Sequence, residues 1–343
     1  CLSRACLLAL ASLLPVAEPI PAAQPLLAAQ PLPAAELQPK TLQAWEIYVR
    51  LTEQRIAKQL DTKGKFLVTD FLPQAEADAA RTLLAQGGVY IQRMETREAD
   101  GRKIKVEDGM IHHWFGAVFL PNVTLATLLP WLQDYDRHEK FFLEVERSRL
   151  VARSPDSGEP DSGQGDTFKI FLRLRRKKVI TVYYHSDHTA IYRRHDPRRV
   201  SSRSFTTRVV ELDNPGTPAE TEKPEGKDRG FFWRLNSYWR FQEAPGGVTV
   251  ECESISLSRS IPFGLAWLIK RYIESIPRES LLNTLTAIRD RREKSANTTR
   301  GAGLGGSGLF GVLTQSGRRS RLAGSPHVKG SLTPWVGGGL GLP

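Results

Sequence analysis

The sequence predicts an α+β protein in which an antiparallel meander is closed by a long C-terminal helix. Three observations predict it. Apolar residues recur with period two from about residue 145 to 259, the gaps between these runs hold turn chemistry, and the period becomes helical after Pro262. One stretch near the end of the meander stands out. Residues 230–241 read GFFWRLNSYWRF, six aromatic residues within eleven positions of a chain that is 8% aromatic.

The elements follow in order. Arg4 precedes an apolar run over 5–14, and small residues follow at Ala17, Ala22 and Ala23. Basic, then apolar, then small is the order of a secretory signal peptide. Residues 1–23 therefore read as a leader and the protein as exported, periplasmic or extracellular. Residues 24–40 are a Pro- and Ala-rich linker, because recurrent Pro blocks helix and sheet alike. Thr41 is placed to cap a helix running to Leu60, with Trp45, Tyr48, Thr52 and Ile56 near one face. Phe66-Leu67-Val68 reads as a short strand, 75–86 as a helix, and Val89 opens another strand. Residues 41–104 thus form an N-terminal helical extension packed on a main domain at 105–293.

That domain opens with a strand over 111–120 that has few polar positions. A helix follows from Thr124; Pro130 must break or kink it, and a second piece resumes from Trp131 to Phe142. Strands are predicted at 145–153, 166–175, 178–186, 188–194, 203–212, 230–242 and 247–259, with Ser186-Asp187 as one of the turns. Pro262 suits a first helical position, and Leu265, Leu268, Ile269, Tyr272, Ile273 and Ile276 form an apolar stripe. Pro277 interrupts the stripe, and Leu281, Leu282, Leu285 and Ile288 continue it. Residues 294–343 read as a disordered Gly-rich tail: from Ser295 onward there are thirteen Gly and no Asp or Glu.

The net charge is +11, and five of the basic residues (Arg300, Arg318, Arg319, Arg321, Lys329) lie in that tail. The remaining clusters, at 173–178 and 193–199, read as solvated strand ends or as attraction to an anionic membrane surface. No motif of specific nucleic-acid recognition accompanies them. Three cysteines make no disulfide framework, no Cys/His spacing predicts a metal, and no cofactor fingerprint or G-x-S-x-G nucleophile motif is present.

The order of strand, broken helix, meander and closing helix suggests a helix-grip arrangement. Three blocks carry a family resemblance: the strand 111–120 with the helix pair at 124–142; residues 132–137 (LQDYDR) leading into 142–151 (FLEVERSRLV); and the closing helix with 276–281 (IPRESL). Over roughly 105–292 the chain resembles the START-like superfamily, also called SRPBCC or the polyketide-cyclase/Bet v 1-like group. Leu143 stands where that pattern has proline. The resemblance implies a curved antiparallel sheet wrapped around the C-terminal helix, and a space between them that in many members holds a lipid, sterol, polyketide or other apolar molecule.

Strand alternation places Phe231, Trp233, Leu235, Ser237, Trp239 and Phe241 on one side of their strand, and Phe232, Arg234, Asn236, Tyr238 and Arg240 on the other. The first set faces the closing helix, either as filled core or as the wall of a cavity. The candidate ligand-binding residues are Trp114, Trp233, Leu235, Ser237, Trp239, Phe241, Leu268 and Tyr272. His112 and His113 are candidate polar groups of the same cavity, since alternation sends one of them inward. Glu251 and Glu253 are expected to pair across the hairpin with Arg234 and Arg240 as surface ion pairs. No residue is assigned as catalytic. The leading expectation is a protein that binds an apolar small molecule or lipid without covalent chemistry or cofactor. A cyclase- or hydrolase-like enzyme on the same scaffold and a membrane-surface or partner-binding protein with a filled core remain the alternatives.

Overall fold

The computed structural model describes residues 36–155, 165–177, 181–260 and 275–290. The chain divides into two compact units, 1–297 and 298–343, and every described residue belongs to the first. The predicted leader, the predicted linker as far as residue 35, the predicted tail, and residues 261–274 with Leu268 and Tyr272 lie outside the described residues; Pro39 and Lys40, predicted as linker, are helical.

The fold is α+β. A curved nine-stranded antiparallel sheet has the order β1-β2-β9-β8-β6-β5-β4-β3, with a short β7 on the end of β6. The strands are β1 (Val89–Arg93), β2 (Gly109–Pro121), β3 (Val145–Ser154), β4 (Thr167–Lys177), β5 (Thr181–Asp196), β6 (Arg199–Asp213), β7 (Thr221–Glu222), β8 (Arg234–Ala244) and β9 (Gly247–Arg259). The helices are α1 (Pro39–Leu60), α2 (Gln74–Ala85), α3 (Leu125–Leu132) and the closing helix α4 over 275–290.

Helices cover both faces of the central strands. On the inner face, Leu281, Leu285 and Ile288 of α4 and Leu125, Leu128, Leu129 and Leu132 of α3 pack on Val118, Leu120, Val248, Val250 and Phe241. Gly116 lets α4 come this close, because a Cβ there would lie 2.5 Å from Leu285 Cδ1. On the outer face, Trp45, Tyr48 and Ile56 of α1 pack on Tyr238, Ile255 and Leu257, and Leu84 of α2 packs with Phe115 and Ala117. Burial on both faces explains why β2 has so few polar positions.

Several local expectations are corrected. α1 begins at Pro39 with Gln38 as its cap, and Thr41 is buried, its hydroxyl donating to the Glu107 carbonyl at 2.6 Å. Residues 66–68 form no strand. Asp70 accepts the N–H groups of Phe66 and Leu67 at 2.9 Å each and curls the chain into a 3-10 turn at Val68–Phe71. α3 carries Pro130 inside it and ends at Leu132; a separate 3-10 turn at Tyr135–Lys140 replaces the predicted second helix. Pro130 forfeits only its own backbone donation inside α3, which runs two residues past it to Leu132.

Ser186-Asp187 is not a turn. It lies mid-strand in β5, paired on both sides, with Asp187 opposite Phe171 and Arg208. Two full ladders outweigh the local turn preference of Ser and Asp. β8 starts at Arg234 rather than 230, so the aromatic stretch is only partly strand.

Candidate functional site

Between the inner face of the sheet, α3 and α4 lies a cavity of about 420 Å³. Its origin is legible in side-chain size. The floor carries Ala190 on β5, Ser202 and Ser204 on β6, Ser237 on β8, and Cys252, Ser254 and Ser256 on β9. Small side chains there cannot reach α4. The walls are bulky: Tyr184, Tyr192, Trp239, Phe241, Phe231 and Phe232 all line the space. The rings of Trp239 and Phe241 lie parallel, 6.1 Å apart.

Register turns the floor into rows. Ala190, Ser204, Ser237, Ser254 and Trp114 sit directly opposite one another across β5, β6, β8, β9 and β2. The next row holds Leu235, Ser256 and His112, and beyond β6 it continues with His188 and Ile170. His112 Nε2 lies 2.9 Å from Ser258 Oγ, and His188 Nε2 lies 2.7 Å from Ser186 Oγ. Burial lowers the pKa of each ring to about 4, so both are neutral at pH 7. Tyr135 and Tyr192 pair their hydroxyls at 3.1 Å in the wall.

The charged residues among the lining are Glu144 and Arg176. They pair with each other at 2.5 Å, and Glu144 also accepts from Ser280.

Of the residues singled out from sequence, Leu235, Ser237, Trp239, Phe241 and His112 line the cavity. Trp114 is on the inner face but packs into the apolar cluster under α4 without lining the cavity. Trp233 is a correction. The chain is irregular before Arg234, alternation does not reach back to it, and its ring sits on the outer face with Trp45 and Tyr48. Its Nε1 donates to Asp228 at 3.1 Å. His113 is a second correction: as the neighbour of His112 it points to the outer face, beneath α1. Ser204 and Tyr192 were missed; the signal for Ser204 was its spacing from Ser202, too little in one strand to distinguish a floor from a solvated face.

The outer face holds a buried polar network instead. The Thr96 N–H donates to Tyr48 Oη at 2.8 Å, Tyr48 lies 2.9 Å from His113 Nδ1, and His113 Nε2 lies 2.7 Å from Glu253 Oε1, which also meets Arg55. The Thr96 donation leaves the Tyr48 proton for Nδ1 and the Nε2 proton for Glu253. Glu251 accepts from the backbone of Val68 and Thr69 and from the Thr69 hydroxyl. Burial pushes its pKa up to about 7 against those hydrogen bonds. Arg240, directly opposite Glu251, is 2% exposed and donates to the Phe66 carbonyl and Gln59. The expected surface ion pair of Glu251 and Arg240 is corrected: the two are opposite in register but buried, and the Arg240 hydrogen bonds go to Phe66 and Gln59. Arg234 is opposite Leu257 instead of a carboxylate.

No family model matches the chain, and no curated protein does. Solved structures overlap it in part. A STAR-related lipid transfer protein of Xanthomonas axonopodis is 16% identical and overlaps 58% of this chain and 97% of its own, with a TM-score of 0.36. Human STARD10 is 9% identical over 71% of this chain and 89% of its own, also with a TM-score of 0.36. The Zhui aromatase/cyclase of a Streptomyces strain is 12% identical over 55% of this chain and 96% of its own, with a TM-score of 0.34. At these scores and identities the overlaps carry nothing about ligand or activity. The chain's own architecture, a curved antiparallel sheet with a cavity beneath its closing helix, is the helix-grip arrangement.

Proposed function

We propose that the protein binds an apolar small molecule or lipid non-covalently in this cavity. The single observation that supports it is the mismatch between a floor of Ser, Ala and Cys and walls of Trp, Phe and Tyr, which leaves about 420 Å³ open. A protein using only its surface would have that space filled by side chains. Among the described residues no lining histidine hydrogen-bonds a carboxylate: His112 and His188 meet the Ser258 and Ser186 hydroxyls, His138 meets the Leu132 carbonyl, and Glu144 is engaged by Arg176 and Ser280.

Native mass spectrometry of protein extracted under mild conditions is expected to show a co-purified apolar molecule. Trp239→Ala is expected to weaken its retention by about tenfold or more, since an aromatic wall residue contributes about 150–250 Å² of contact surface. Clean ligand-free spectra across several lipid-rich preparations would count against the proposal.

The cavity's approach surface supports contact with an anionic membrane. Leu143, 75% exposed, lies at the edge of the cavity beside Lys140 and Arg147, neither of which has an ion pair among the described residues. The nearby Glu146 and Glu220 are engaged by Arg173. Among the described residues no helix is long and apolar enough to cross a membrane. Leu143→Asp is expected to cut binding to phosphatidylserine-containing vesicles by about fivefold or more, by losing apolar insertion and adding repulsion. Equal binding of both proteins in a sedimentation assay would refute that contact.

A further inference from the structure

The interior of the cavity has a chemical character beyond its volume. Ser204, Ser237 and Ser254 are direct cross-strand neighbours, so their hydroxyls form a row at the strand spacing of about 4.8 Å. Ser237 accepts from Trp239 Nε1 at 3.2 Å. The hydroxyls of Ser204 and Ser254 make no hydrogen bond among the described residues. His112 and His188 flank the row from the next one, and Ser256 lies between them.

We propose that the cavity selects an uncharged ligand bearing two or more hydroxyl or carbonyl oxygens along one face, seated on the Ser204–Ser237–Ser254 row, and rejects carboxylates and phosphates of similar apolar size. The inference rests on the ligand-binding reading above. A serine hydroxyl both donates and accepts, so the row can serve either kind of oxygen. An apolar ligand without oxygens would leave those hydroxyls unpaired and dehydrated, which is unfavourable. Among the described residues an anion meets no free counter-charge inside. The two floor histidines are neutral at pH 7, and Arg176 is already engaged by Glu144 at the edge. Burying an uncompensated carboxylate costs far more than burying a hydroxyl.

The test is displacement of N-phenyl-1-naphthylamine, an uncharged fluorescent probe, at pH 7 by dodecane-1,3-diol, dodecan-1-ol and dodecanoate. The diol is expected to displace the probe at about tenfold lower concentration than dodecanoate, with the mono-alcohol between them. The double substitution Ser204→Ala with Ser254→Ala is expected to remove the diol's advantage over the mono-alcohol, each competitor being measured against that variant's own probe affinity. Dodecanoate competing as well as the diol would overturn the inference, as would a diol preference that survives both substitutions. Failure of the probe itself to bind would sink the ligand-binding reading, so the two failures are distinguishable.

Discussion

Ser237→Phe is expected to abolish ligand capture while leaving the protein folded. Ser237 is the middle of the serine row, with Ser204 and Ser254 directly beside it, so the new ring meets small neighbours on both sides. It would project from the floor toward α4, into space that no described side chain occupies. Phenylalanine is a better strand residue than serine, and added apolar burial offsets the weak hydrogen bond from Trp239. Binding of the uncharged probe is expected to fall by about 100-fold or more, with the thermal midpoint unchanged or raised. Retained binding by a folded variant would place the ligand elsewhere. Loss of binding together with loss of the cooperative transition would mean that the floor is packed and the cavity closed.

The second large effect lies on the opposite face. Glu253→Ala is expected to destabilise the fold by about 3–5 kcal/mol, because it strands His113 and Arg55 without their shared carboxylate. Burial by itself would raise the pKa of Glu253. The hydrogen bond from His113, with the positive charges of Arg55 and Arg240 nearby, outweighs it and holds the group at about 2. The sign follows directly. A carboxylate depressed below its ordinary 4.5 contributes stability that is fully present above pH 4.5 and is lost as pH falls toward 2. Urea unfolding of the wild-type protein should therefore weaken across that window, and the Glu253→Ala variant should show a flatter dependence there. A variant within about 1 kcal/mol of wild type would show that the network contributes little net stability.

Much of the architecture was legible before any coordinates. The period of two gave the meander, and the final stripe of Leu281, Leu285 and Ile288 gave a helix with one buried face. The same alternation sorts β9 into Val248, Val250, Cys252, Ser254 and Ser256 on the inner face and Glu251, Glu253, Ile255 and Leu257 on the outer. It also placed Leu235, Ser237, Trp239 and Phe241 together. It failed at Trp233, because periodicity holds only while the chain remains extended, and the strand begins one residue later. It misjudged the setting of the outer carboxylates, because the 3-10 turn that bonds Glu251 and the helix that carries Arg55 come from far earlier in the chain.

What the sequence by itself determined was which side chains share a face, since that depends only on the local geometry of an extended backbone. What the tertiary structure decided was the content of each face: an open floor of serines on the inside, a buried ionic network beneath α1 on the outside. A void is the difference between the volume that distant layers enclose and the volume their side chains fill. No residue's neighbours along the chain specify that difference.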